Sequence, residues 1–182
     1  MKLTPLALPE VLLVEPRVFE DHRGWFYESF NARRFNELGG LEVSFVQDNQ
    51  SRSAKGVLRG LHYQLPPHAQ GKLVRAVSGA IFDVAVDIRR SSPSFGRWVG
   101  EVLSAENRRQ LYVPAGFAHG FLALEEGSEV LYKTTDYYAP PAERSIRWDD
   151  PAIGIDWPGG LTPVLADKDA AAPLMAAADL FD

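Results

Sequence analysis

The sequence predicts an all-β sandwich or barrel, and three observations carry that prediction. Fifteen glycines and 13 prolines are spread along all 182 residues, a density of turn punctuation that suits many short strands better than long helices. Short apolar and β-branched runs recur between those turns, and helical periodicity is confined to two brief stretches. An apolar fraction of 46% with 24% charged residues is that of a chain that folds around a core. No repeat, linker or compositional break divides it, so residues 1–182 are expected to form a single domain.

In chain order, the first expected strand is Val11–Val14, followed by Trp25–Phe30 after the turn-like Asp21-His22-Arg23-Gly24. Asn31 offers an N-cap to a short helix that reaches Leu38 and stops at Gly39-Gly40. Val43–Gln47, Val57–Gln64, Lys72–Ser78 and Ala80–Ile88 are the next strands. Within the last of these, alternation puts Phe82, Val84 and Val86 on one face, expected to be core. Asp83, Ala85 and Asp87 fall on the other, which offers carboxylates to a cavity or to solvent. Trp98–Leu103, Gln110–Val113, Ala118–Leu124, Val130–Thr135 and Ser145–Trp148 complete the strands. An alanine-rich tail, Asp169–Leu180, is the second candidate helix.

Composition excludes several functions. The net charge is −5 and the basic residues are scattered, so no footprint for a nucleic acid backbone is visible. With no cysteine, disulfides, thiolate nucleophiles, zinc–cysteine sites and iron–sulfur clusters are ruled out. Pro5, Pro9, Glu10 and Glu15 interrupt the apolar N-terminal stretches, so neither a signal peptide nor a membrane span is expected, and the cytoplasm is the simplest compartment.

Three polar clusters fall on or beside successive strands: Gln47-Asp48-Asn49-Gln50-Ser51, Arg59-Gly60-Leu61-His62-Tyr63-Gln64 and Gln70-Gly71-Lys72. Strict alternation sets Arg59 and His62 on opposite faces, whereas a bulge at Gly60 brings both into one cavity. A bulge is therefore expected there. An unperturbed imidazole titrates near ~6.5, so His62 needs only an orienting carboxylate to act as a general base, and Asp83 and Asp169 are the candidates. The competing reading is a buried histidine satisfied by a backbone carbonyl. His119 is delivered to the start of a strand by the Pro114-Ala115-Gly116 turn. His22 and His68 lie in turn-like contexts and receive no role. Arg23, in a tight turn, either reaches a phosphate or stays solvated. Around Tyr132-Lys133-Thr134-Thr135-Asp136-Tyr137-Tyr138, a phenol can donate a proton opposite a histidine base, stack on a planar ring, or simply line the core.

The segment Pro114–Phe121 resembles the second motif of the cupin superfamily. Metal-binding cupins add a His-x-His pair, and here that segment reads His62-Tyr63-Gln64, so the ligand set is incomplete and no metal is expected. Taken together, Phe45-Val46-Gln47-Asp48-Asn49, Leu58-Arg59-Gly60-Leu61-His62, Gln70–Arg75, Phe82–Arg89, Leu103-Ser104, Pro114–Phe121 and Leu131-Tyr132-Lys133 resemble the dTDP-4-dehydrorhamnose 3,5-epimerase family over nearly the whole chain. The resemblance implies a cupin-type jelly roll with short peripheral helices, a homodimer that exchanges N-terminal strands, and a reaction without cofactor. It implies a dTDP-4-keto-6-deoxyhexose substrate inverted at C3 and C5. It assigns His62 as the base, Asp169 or Asp83 as its orienting carboxylate, Lys72 as the cation at the C4 oxygen and Tyr132 as the acid. It gives substrate binding to Arg23, Glu28, Gln47, Asp48, Asn49, Arg59, Lys72, His119, Glu143 and Lys168, with Tyr138 stacking on thymine. Arg23 and Glu28 are expected from the partner subunit. Relatives that invert one carbon or isomerise the ketone, and a non-catalytic nucleotide-sugar binder, are the alternatives.

Overall fold

A computed structural model describes residues 1–159 and 162–182. Its two main antiparallel sheets face each other as the jelly-roll sandwich expected. The strands are β1 (Lys2–Pro5), β2 (Leu12–Glu15), β3 (Val18–Asp21), β4 (Gly24–Tyr27), β5 (Gln47–Ser53), β6 (Leu58–Gln64), β7 (Lys72–Ser78), β8 (Ala80–Asp87), β9 (Trp98–Ser104), β10 (Gln110–Val113), β11 (Phe117–Ala123), β12 (Ser128–Thr134) and β13 (Glu143–Ser145). One sheet runs β1-β2-β10-β7-β12-β5 and the other β13-β6-β11-β8-β9, while among the described residues β3 and β4 pair only with each other.

The core between the sheets is built from alternate residues of both, among them Leu13, Val74, Ile81, Ala85, Leu103, Leu111, Phe121 and Val130. The outer faces are covered too. Helix α1 (Ala32–Gly39) lays the fully buried Phe35 on the first sheet, beside Leu41, Val43 and Phe45. The C-terminal segment covers the second sheet with Ile146, Ile153, Met175 and Phe181, against Val84 and Val86. Strand β8 is therefore buried on both faces, which corrects the expectation that its carboxylates face a cavity or solvent. Asp83 and Asp87 are wholly buried; Asp87 is held by Arg89, Ser92 and Ser94.

The helix signals held at one end and failed at the other. Asn31 Oδ1 accepts the Arg34 N–H at 3.1 Å and Gly40 closes α1 in the left-handed region. The alanine-rich tail does not form a long helix. It gives the four-residue α2 (Asp167–Ala170) and a 3₁₀ turn at Met175–Ala177, because Pro173 interrupts the helical hydrogen-bond ladder and Ala172 and Ala178 are buried in the packing. Residues 43–46 are not a strand: the Asn36 side chain bonds both the N–H and the C=O of Val43, turning the segment into an apolar flap. Strand β4 stops at Tyr27, and the strand sought at 145–148 lies two residues earlier as β13. Strands β1 and β3 were not anticipated.

Candidate active site

The site lies where β5, β6, β7, β11, β12 and β13 converge, and Gly60 creates it. The β6–β11 pairing is His119 opposite His62, then Phe121 opposite Arg59, a one-residue register shift. Gly60 has φ +125°, and a Cβ there would stand 2.6 Å from Gly120 Cα and 2.8 Å from the His119 carbonyl oxygen, so only glycine fits. The bulge brings Arg59 and His62 into one cavity of about 430 Å³, as the polar spacing required. Lys72, His119, Tyr132, Glu143, Lys168 and Asp169 line the same cavity. A contiguous cleft of about 350 Å³ adds Gln47, Asn49, Gln64 and Tyr138.

Two histidine–aspartate couples lie at the cavity, their histidines on the neighbouring strands β6 and β11, with Asp83 wholly buried against His119. His62 Nε2 lies 2.6 Å from Asp169 Oδ1, and Asp169 Oδ2 accepts the Gly60 N–H at 3.2 Å. Burial works against the Asp169 charge, but these two bonds outweigh it and hold the carboxyl below its usual range. An ionised carboxylate only accepts hydrogen bonds, so His62 Nε2 carries a hydrogen, and in the neutral imidazole the lone pair sits on Nδ1. Asp83 is not the partner of His62. Its Oδ1 lies 2.8 Å from His119 Nε2, a diagonal cross-strand contact set by pairing of His119 with Ala85. Burial lowers the His119 pKa despite that contact, favouring neutral imidazole.

The opposite wall comes from the first sheet. Pairing of Lys72 with Thr134, and of Val74 with Tyr132, makes Lys72 and Tyr132 diagonal neighbours on its inner face. Lys72 is buried; its Nζ reaches the His62 carbonyl oxygen only at 3.4 Å. Burial pulls its pKa down to about 8, opposed by Asp83 and Glu143. Burial raises the Tyr132 phenol, keeping it protonated at neutral pH. A base, a phenol and a cation thus surround one cavity, which is the equipment for taking a proton from one face of a carbon acid and returning one to the other.

Ser53 Oγ accepts from Arg59 Nε at 3.1 Å and fixes the guanidinium. Lys168 Nζ lies 3.1 Å from Glu143 Oε1, and the Tyr138 hydroxyl donates to Glu143 Oε2 at 3.1 Å. Three expected site residues lie elsewhere in this chain. Asp48 points to the other face of β5 and pairs with Lys133 at 2.9 Å. Arg23 is at the exposed tip of the β3–β4 ribbon, bonded to Asp21, and Glu28 lies just after it, accepting from Asn31. Sequence reasoning missed Ser53 as the clamp on Arg59; alternation from Asn49 and Ser51 puts it on the same face. It also treated Gln64 only as an absent metal ligand, although Gln64 shares the His62 face.

The fold and site define a cupin-type β-sandwich protein built for proton transfer on a small polar substrate. Residues 5–177 match the family model described as dTDP-4-dehydrorhamnose 3,5-epimerase, and the chain belongs to that family. A Pseudomonas aeruginosa dTDP-4-dehydrorhamnose 3,5-epimerase is 62% identical over 181 residues, covering 100% of this chain and 99% of its own. The Legionella pneumophila 3,5-epimerase, solved in complex with dTDP-4-keto-L-rhamnose, superposes with a TM-score of 0.94 at 53% identity, covering 98% of this chain and 94% of that one. A 3'-monoepimerase from Streptomyces bikiniensis, in complex with dTDP-quinovose, gives a TM-score of 0.89 at 38% identity, with 97% and 88% covered. No described helix is long and apolar enough to cross a membrane.

Proposed function

We propose that residues 1–182 work as one epimerase unit that inverts C3 and C5 of dTDP-4-dehydro-6-deoxy-D-glucose to give dTDP-4-dehydro-L-rhamnose. The observation that carries this reading is the Asp169–His62 couple sharing one cavity with Lys72 and Tyr132. His62 Nδ1 takes the proton from the carbon beside the C4 ketone, and the C–H electron pair moves into an enolate whose charge gathers on the C4 oxygen. The Lys72 ammonium stabilises that oxygen. Tyr132 then protonates the opposite face, and solvent restores both groups. Only protons change hands, so the balance calls for no electron acceptor.

Arg59 and Lys168 are the diphosphate ligands on this reading, His119, held by Asp83, contacts the hexose, and Gln47, Asn49 and Glu143 take the nucleoside with Tyr138 stacked on thymine. The working unit is a homodimer. Supporting it, the β3–β4 ribbon pairs with no other strand among the described residues and exposes Phe19, Trp25 and Phe26, the last at 71%, a patch that calls for a partner surface. Arg23 and Glu28 on this ribbon then complete the site of the other subunit.

NMR with dTDP-4-keto-6-deoxyglucose in deuterated water tests the reading, with C3 and C5 followed separately. The parent incorporates deuterium at both carbons and inverts both. His62→Ala abolishes exchange and turnover, while Tyr132→Phe keeps some exchange and loses inversion; normal product from either overturns the assignment. The similarity to a 3'-monoepimerase makes inversion at C3 alone the second reading, and deuterium at C3 without C5 selects it.

A further inference from the structure

We infer that Gln64, where a metal-binding cupin carries its second histidine, is a positioning residue that holds Tyr138 as a preformed platform for the planar base of a nucleoside diphosphate. Gln64 is 3% exposed and lies two residues beyond His62 on β6. Its Nε2 donates to the carbonyls of His68 at 2.7 Å and Tyr137 at 3.2 Å, and its Oε1 accepts the Ala139 N–H at 2.8 Å. One side chain therefore grips the peptide groups on both sides of Tyr138. Gln47 Oε1 takes the N–H of Tyr138 itself at 3.1 Å, so three consecutive residues of the loop are tied down.

Only a carboxamide meets these demands from one position. It supplies two donors and an acceptor together, whereas a carboxylate cannot donate and a neutral imidazole offers one donor and one acceptor on a rigid ring. The Tyr138 ring stays 53% exposed, with Gln47, Asn49 and Gln64 lining the cleft beside it. A rigid loop carrying an exposed ring loses little freedom when a base stacks on it, and that saving appears as affinity. The inference rests on the proposed reading of Tyr138 as the base-stacking residue.

Gln64→Met keeps the length of the side chain and removes all three bonds. It is expected to weaken dTDP binding about 10-fold, raising KM while kcat falls less than about threefold, because the hexose end is untouched. In a Tyr138→Ala background the same change is expected to add nothing, since both act through one ring. Amide exchange supplies a readout independent of ligand: the Ala139 N–H is protected in the parent and exchanges fast in the variant. If Gln64→Met does not fold, Gln64→Asn, which keeps the amide but is one methylene short, carries the same expectations. Unchanged dTDP affinity in a folded Gln64 variant, when Tyr138→Ala does weaken dTDP, overturns this inference alone. Additive losses in the double variant overturn it too. Unchanged affinity in Tyr138→Ala overturns the base-stacking reading, and the inference falls with it.

Discussion

Replacing Lys72 by Met is expected to make the protein more stable and nearly inactive. The ammonium is buried, its one hydrogen bond among the described residues is long at 3.4 Å, and burial moves its pKa from 10.5 down to about 8. Each pH unit of displacement corresponds to ~1.4 kcal/mol, so the charged side chain costs about 3 kcal/mol at neutral pH. The sign follows from proton counting. Between about 8 and 10.5 the unfolded chain binds the proton that the folded chain has lost, so stability rises with pH across that window. The penalty is complete below about 8 and gone above 10.5. Methionine has similar length and no charge, so Lys72→Met should melt roughly 6–12 °C above the parent at pH 7, with the advantage shrinking towards pH 10. Loss of the cation facing the enolate should lower kcat about 10²- to 10³-fold. Melting by circular dichroism at pH 7 and pH 10, with turnover on the keto sugar, tests both halves. A variant that melts at or below the parent at pH 7, or keeps the same advantage at pH 10, refutes the reasoning.

The same titration predicts that kcat/KM declines above about pH 8 as Lys72 loses its proton; a pH–rate profile flat to pH 9.5 would contradict a catalytic role for that charge. Gly60→Ala places a methyl 2.6 Å from Gly120 Cα at φ +125°, and denaturant titration should show a loss of about 3 kcal/mol or more. Arg23→Ala and His62→Ala, each crippled alone, are expected to recover about a quarter of the parent rate when mixed, unfolded and refolded together, because half of the dimers then carry one intact site. No recovery places Arg23 outside the partner's site.

Most of the site was legible wherever one local rule conflicted with another. Arg59 and His62 differ by an odd number, so a shared cavity demanded an irregularity, and Gly60 was the residue able to provide it. The β8 alternation grouped Asp83 with Asp87 opposite Phe82, Val84 and Val86, but it could not show that both faces of the strand are covered. Strand β5 was misplaced because Gln47–Ser53 is polar throughout: one face meets the cleft and the other carries Asp48 and Arg52, so no apolar alternation marks it. Choosing between Asp83 and Asp169 was beyond local pattern as well, since His62 and Asp169 are 107 residues apart and meet only when the C-terminal segment wraps the second sheet. The tail expected as one long helix is the segment that makes this contact, through Asp169 on the short α2, and two of its alanines, Ala172 and Ala178, are buried in the packing.

The two aspartates divide labour in a way that explains why Lys72 remains chemically available. Asp169 spends both oxygens on His62 and Gly60, and Asp83 directs Oδ1 to His119; neither makes a hydrogen bond to Lys72. Glu143, the other carboxylate that supports the Lys72 charge, is bonded to Lys168 and Tyr138. The cation is therefore stabilised at a distance without being neutralised by contact. A direct ion pair would return stability, but it would give the ammonium a competitor for any oxyanion formed in the cavity. The fold keeps a destabilised charge open, and on the proposed reaction the C4 oxygen is the group that meets it as the proton leaves for His62.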